Sequence, residues 1–225
     1  MAHSSFSQLF CGETNEAREL HRMAARVVVP AEKIIFFEDE RADSVFGLSV
    51  GTVRLFKLLP DGRRQIVALA LPGEFLEMPM IEQHRYSAAA IGEVELHRFP
   101  RDQLVAHIGS SPKLMSLLVE FATRQLNLAQ DQLVMLGTRS AEERVLFFLT
   151  TWRDRIAALK PFQQYLPLPM WREDIADLLG LTIETVIRTL SKLEKKNVIR
   201  VVPKGVILTG LEHPSPGSMA DSRAV

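Results

Sequence analysis

From residue 24 to about residue 100 the apolar positions fall in short runs broken by turn residues; beyond 100 they recur every three or four positions. The first pattern predicts strands over Ala25–Pro30, Lys33–Phe37, Val50–Leu59, Gln65–Leu71, Tyr86–Ala90 and Val94–Phe99. Val50–Leu59 alternates only in part, with Val53, Leu55 and Lys57 on one side. Pro60-Asp61-Gly62 turns the chain back, because proline fixes φ and Asp-Gly accepts positive φ. Pro72-Gly73 ends the returning strand. Short strands with a turn signal every ten residues or so point to a barrel or roll.

The second pattern is helical. Pro100-Arg101-Asp102 opens a short helix through about Ile108, and Ser110-Ser111-Pro112 caps a longer one that Gly137 is expected to stop. Along it Leu114, Leu118, Phe121, Gln125, Leu128, Gln132 and Met135 hold heptad a and d spacings, while Leu117, Leu126, Leu133 and Leu136 populate a second face. One stripe can pack on the chain's own body while the other meets an identical helix; the first is expected to be the dimer seam. Both stripes serving as intrachain core is the alternative. Glu142–Leu159 continues as helix, with Val145, Leu146, Phe148, Leu149 and Trp152 apolar, and Lys160–Pro169 reads as an irregular connection.

Composition narrows the class. The chain has 225 residues with 47% hydrophobic and 24% charged, enough for a real core. A single cysteine, Cys11, excludes a disulfide framework, a cysteine-only zinc site and a multi-thiolate iron–sulfur cluster. With no apolar run of roughly 18 residues and no basic-then-apolar start, a cytoplasmic protein away from membranes is expected. The net charge of zero hides an imbalance: residues 1–112 carry 12 basic and 15 acidic side chains, residues 139–212 carry 12 and 9. Within 184–206, Arg188, Lys192, Lys195, Lys196, Arg200 and Lys204 face only Glu184 and Glu194, an excess suited to neutralising phosphates. These shifts divide the chain at 1–112, 113–138 and 139–213, with the proline- and serine-rich 214–225 expected to be a disordered tail.

The candidate chemistry lies in Trp171–Leu208. Arg172–Leu179 predicts a short helix with Ile175, Ala176, Leu178 and Leu179 inward; Gly180 suits a left-handed C-cap, and Leu181 plugs the corner. Thr182 is a natural N-cap, offering its hydroxyl to the N–H of Glu184 or Thr185. The next helix, Ile183–Lys196, is expected to bury Ile183, Val186, Leu190 and Leu193 and to leave Glu184, Thr185, Ile187, Arg188, Ser191 and Lys192 outside. Two short helices joined by a glycine turn make a helix-turn-helix. Asn197–Val202, Pro203-Lys204-Gly205 and Val206–Leu208 add a β-hairpin wing. A carboxylate in the first turn can accept from cytosine N4, and an arginine one turn later can donate to guanine O6 and N7. Glu184 and Arg188, at i and i+4, are equally spaced for a helix-stabilising ion pair, so position decides between the two roles.

Residues 174–190, Asp-Ile-Ala-Asp-Leu-Leu-Gly-Leu-Thr-Ile-Glu-Thr-Val-Ile-Arg-Thr-Leu, resemble the helix-turn-helix of the cAMP receptor protein/fumarate–nitrate regulator (CRP/FNR) superfamily, and within it the FixK-like and FNR-like regulators. Val50-Gly51-Thr52-Val53 and Leu71-Pro72-Gly73-Glu74-Phe75 resemble that family's roll. The resemblance implies an α+β fold: a β-roll like a cyclic-nucleotide-binding domain, a long dimerisation helix, and a C-terminal winged helix-turn-helix. It implies a homodimeric activator that binds double-stranded DNA at a palindromic TTGAT-like site and contacts RNA polymerase. Glu184, Ile187 and Arg188 would then face bases, and Arg172, Thr182, Thr185 and Lys192 would face phosphates. Ile187 stands where the subfamily usually has serine, so it can meet a thymine methyl but cannot hydrogen-bond. Two such helices would enter successive major grooves about 34 Å apart.

The family's effector sites are only partly present. Glu77 stands where the family's cyclic-nucleotide binders have glycine, and Arg85-Tyr86-Ser87 interrupts their Arg-Ser pair. A carboxylate there repels a cyclic phosphate, so no bound cofactor is expected. Haem is the alternative raised by His21, His84, His97 and His107, in a regulator whose roll gates DNA binding. No phosphate loop, HExxH or G-x-S-x-G pattern supports an enzyme, and Glu77 and Glu82 read as solvated loop acids.

Overall fold

The computed structural model describes residues 15–159 and 164–209. Cys11 and the tail beyond residue 209 lie outside the described residues. The element order is α1 (Asn15–Met23), β1 (Ala25–Val29), β2 (Ile34–Phe36), β3 (Ser44–Leu58), β4 (Arg64–Ala70), β5 (Ser87–Pro100), α2 (Arg101–Ser110), α3 (Pro112–Thr138) and α4 (Ala141–Leu159). The C-terminal part follows as β6 (Tyr165–Pro167), α5 (Arg172–Leu179), α6 (Ile183–Lys195), β7 (Ile199–Val202) and β8 (Gly205–Leu208).

The N-terminal half is an antiparallel sheet in the order β1-β5-β3-β4, with β2 also paired to β5. The strands expected at 86–90 and 94–99 are one continuous strand, β5, and β3 begins six residues before Val50. Gly51 at φ +95° and Gly92 at φ +72° absorb the kinks where the β3–β5 register shifts, so what read as breaks are bends within paired strands.

The partial alternation of β3 has a simple cause: both of its faces are covered. Val53 and Leu55 point into the roll with Leu48, Ala88, Val94 and Leu96. Phe56 points the other way and joins Ile66, Leu69, Ala89 and Ile91 in one core with Phe148, Trp152, Ile175 and Leu190 of the C-terminal half. The sheet's outer face is therefore the bed on which the helix-turn-helix lies.

Helix α3 starts as expected, with Ser111 capping Leu114 N–H at 3.3 Å and proline at the first helical position. Gly137 does not stop it; Arg139 is the C-cap. The expected dimer seam needs correction. Leu114, Leu118 and Phe121 are buried in the roll's own core with Phe75, Phe99 and Leu104, and Met135 in the core of the C-terminal half. Gln125, Leu128 and Gln132 are half-buried against the same body. The seven positions form the intrachain stripe, because the roll and the C-terminal half both need a lid on that side. The opposite face, with Met115, Val119, Leu126 and Leu133, is exposed.

The stretch predicted as irregular also holds a strand. Tyr165–Pro167 pairs with β8, making the wing a three-stranded sheet in the order β6-β8-β7. The close approach needs glycine: a Cβ on Gly205 would stand 2.5 Å from the Leu166 carbonyl oxygen.

Candidate nucleic-acid interface

Helix α5 is preceded by its N-cap, Trp171, whose N–H donates to the Asp174 carboxylate at 3.1 Å. It ends at Gly180 in the left-handed region, φ +61°, with the Leu181 N–H donating back to the Ala176 carbonyl. Thr182 then caps α6, accepting from the Thr185 N–H at 3.2 Å. Val186, Thr189, Leu190 and Leu193 form the inward face of α6. Thr189 takes the place expected of Ile183, which is 38% exposed, because the helix sits rotated toward its i+3, i+7 row.

That rotation fixes what α6 shows to solvent. Glu184, Ile187 and Arg188 are exposed, and Ser191 and Lys195 continue the same outward row. Glu184 and Arg188 form no ion pair; the Arg188 guanidinium instead lies 3.5 Å from the Thr185 hydroxyl. The Glu184 carboxyl accepts its own backbone N–H and a bond from the Thr182 side chain, which hold it below the ordinary carboxylate range and so fully ionised. An acid and an arginine thus stand exposed one turn apart on the outward face of α6.

The expected phosphate set separates. Thr182 is exposed at the mouth of α6 and Thr185 half-buried beside it. Arg172 is half-buried at the start of α5, where burial lowers its pKa, though an arginine stays charged. Lys192 is already engaged: its ammonium lies 2.7 Å from Glu142 of α4, and Lys196 bonds the same carboxylate. These two bonds hold the Glu142 carboxyl below its usual range. Sequence alone gave no sign of this pairing, since Glu142 is 50 residues upstream. Lys195, counted in the sequence only within the basic excess of 184–206, lies on the same exposed row of α6 as Glu184 and Arg188.

Two arginine clusters set where this surface sits. Arg144 of α4 donates to three main-chain carbonyls, Arg139 at 2.9 Å, Leu136 at 2.8 Å and Leu179 at 3.0 Å, clamping the ends of α3 and α5 together. On the other side Arg54 of β3 and Arg64 of β4 reach Asp174 and Asp177 of α5. Asp174 is 1% exposed, so removing all of its cationic partners would strand a buried charge at a cost of about 3–5 kcal/mol.

The roll does not offer a phosphate cradle. Glu77, expected to be solvated, is 8% exposed; its carboxylate meets His84 Nδ1 at 2.5 Å and accepts the Arg85 N–H at 2.8 Å. Burial raises its pKa above the usual value, against the bonds from His84 and Arg85. His84 in turn stacks on Phe36 with ring centroids 3.7 Å apart, and the Ser87 hydroxyl is taken by the Glu38 N–H. An acid, not an open glycine, fills the position, so the residues present do not fit a cyclic phosphate. Haem fits no better: His21 packs on His97, and His107 lies beside Glu19. None of the four histidines borders the 310 Å³ cavity between β4, α3, α4 and α5.

The fold and this surface define a roll-plus-winged-helix regulator, and comparison with known proteins agrees. Residues 26–110 match the cyclic nucleotide-binding domain family and residues 168–199 the bacterial regulatory proteins of the crp family. The chain belongs to the CRP/FNR family of transcription regulators, proteins that bind DNA through this helix-turn-helix.

Within the family it is 50% identical over 198 residues to the transcriptional activatory protein AadR of Rhodopseudomonas palustris, covering 87% of this chain and 83% of that one. It is 45% identical over 193 residues to the nitrogen fixation regulation protein FixK of Bradyrhizobium diazoefficiens, covering 86% and 81%. The solved structure of FixK2 from Bradyrhizobium japonicum superposes with a TM-score of 0.76 at 34% identity, over 82% of this chain and 92% of that one. No helix among the described residues is long and apolar enough to cross a membrane.

Proposed function

We propose that this regulator is a homodimeric activator that reads a palindromic TTGAT-like site through Glu184 and Arg188, with Ile187 against a thymine methyl. The observation that carries the reading is the state of that pair: exposed, on the capped second helix of the motif, and not bonded to each other. A surface ion pair would be worth a few tenths of a kcal/mol to the helix; a carboxylate and a guanidinium that are exposed and not paired with each other are instead available to base edges. Thr182, Thr185 and Arg172 set the register on phosphates, and Lys195 joins them. The names of the relatives support activation, and contact with RNA polymerase follows from that role.

The dimer uses the exposed face of α3. Met115, Val119, Ala122, Leu126, Ala129 and Leu133 recur at alternating steps of four and three, the 3.5-residue period of a left-handed helix pair. The test is binding of purified protein to a palindromic TTGAT-type duplex. Arg188→Ala is expected to cost about 1–3 kcal/mol and to erase preference at the guanine. An unchanged base preference refutes its role as a reader. A second reading, an effector-gated regulator, rests on the 310 Å³ cavity, whose wall includes Gln125 and Gln132; a native mass above that of the bare chain would favour it.

A further inference from the structure

The helix-turn-helix is joined to the rest of the molecule in three ways. The first is covalent and short: only Arg139 and Ser140 separate α3 from α4, with Arg144 bracing the joint. The second is apolar, a packed core with a cavity at its edge. Between β4, α3, α4 and α5 lies the 310 Å³ cavity, bordered by Val67, Leu69, Gln132, Phe148, Trp152 and Leu178. The cavity lies beside a packed apolar core, and its lining side chains have no partner atoms on the open side, which leaves room for a shift there.

The third is ionic and directional. Arg64 Nε lies 2.8 Å from Asp177 and its Nη2 lies 2.8 Å from Asp174. Arg54 Nη1 lies 3.3 and 3.4 Å from the two Asp174 oxygens, and its Nη2 is anchored by Glu32. The Gln65 side chain bonds the Asp177 carbonyl. The roll thus contributes two cations on adjacent strands, and α5 contributes two anions one turn apart. The planar guanidinium groups donate to those carboxylates along fixed directions, which restricts how α5 can sit. Asp174 also caps α5 through the Trp171 N–H, so the network grips the first helix of the motif at its origin.

We infer that Arg54 and Arg64 are positioning residues for DNA recognition: by holding Asp174 and Asp177 they fix the tilt of the helix-turn-helix on the roll, and so set the spacing between half-sites that a dimer accepts. The inference rests on the dimeric DNA-binding reading. Neither arginine touches DNA in it. Adding one base pair between half-sites moves the second by about 3.4 Å and turns it by about 35°. Two rigidly held motifs reject such a change; two motifs released from the ionic clamp tolerate more of it.

The experiment measures affinity for palindromic duplexes whose centre is lengthened or shortened by one and two base pairs, with a single half-site duplex as reference. Wild-type protein is expected to prefer one spacing over its neighbours by about tenfold, comparable with the loss of a correct base pair. Arg64→Met and Arg54→Met each leave Asp174 with the other arginine, so each variant keeps a paired buried acid. In both the spacing preference is expected to fall below about threefold, while base preference within a half-site stays as in wild type. Asp177→Asn, at a partly exposed position, tests the Arg64 arm again if a methionine variant fails to fold, and Arg64→Lys is expected to retain part of the preference.

Spacing preference equal to wild type in the folded variants overturns the inference, because the network then only stabilises. A rise in affinity at the preferred spacing with the preference intact also overturns it, marking an inhibitory contact. Wild-type protein that binds every palindrome no better than the single half-site removes the dimeric reading itself, and the inference with it.

Discussion

Replacing Leu126 and Leu133 together by glutamine separates the two stripes of α3. The two leucines are 57% and 73% exposed in the single chain. Full burial of a leucine side chain is worth about 1.5–3 kcal/mol, and a twofold seam removes that exposed area on both copies. Scaling by the exposed fractions and doubling gives about 4–8 kcal/mol of association energy, or three to six decades in the dimer dissociation constant. The chain itself loses little, since substitutions at exposed sites away from caps and ion pairs fall within about 0.5 kcal/mol. Sedimentation across a concentration series is the assay, with thermal unfolding beside it. The double variant is expected to be a folded monomer at concentrations where wild type is dimeric, and Gln132→Leu, on the inner stripe, is expected to leave the dimer constant in place. A variant that dimerises as tightly as wild type refutes the assignment of the seam to the outer face.

Two further outcomes follow from charges already seen. Glu142→Gln releases Lys192 and Lys196 from their shared carboxylate; DNA affinity is expected to rise for all sequences alike, and the salt slope to steepen by between about one and two, read from titrations at several salt concentrations. A base-specific change, or an unchanged slope, would show that these lysines stay off the phosphates. His97 has its pKa lowered chiefly by burial, with His21 and Arg26 adding to it and Glu95 opposing. The unfolded chain therefore binds a proton there more readily, so the stability His97 allows above its unfolded value of 6.5 is lost as pH falls below that value toward the depressed folded one. Denaturant melts of His97→Gln from pH 7.5 to 5 are expected to show a shallower acid decline than wild type, and a parallel decline counts against the argument.

The motif was legible and its setting was not. Gly180, Thr182 and the inward row of α6 are local signals, set by backbone conformation and capping within a few residues, and they could be read in order along the chain. The phase of α3 is a different kind of question. Two apolar stripes share that helix, and which one faces the chain's own body depends on Phe75 and Phe99 of the roll and on Trp152 of α4, residues far away in sequence. The glutamines at 125 and 132 were the available clue. A stripe interrupted by amides is a poor seam for an identical helix, yet it fits the half-filled wall of a cavity. The same distance in sequence hid Glu142 from Lys192 and Arg54 from Asp174. Each acid read alone is a solvated charge. Only the fold shows that Asp174 is buried and shared by two arginines more than a hundred residues upstream.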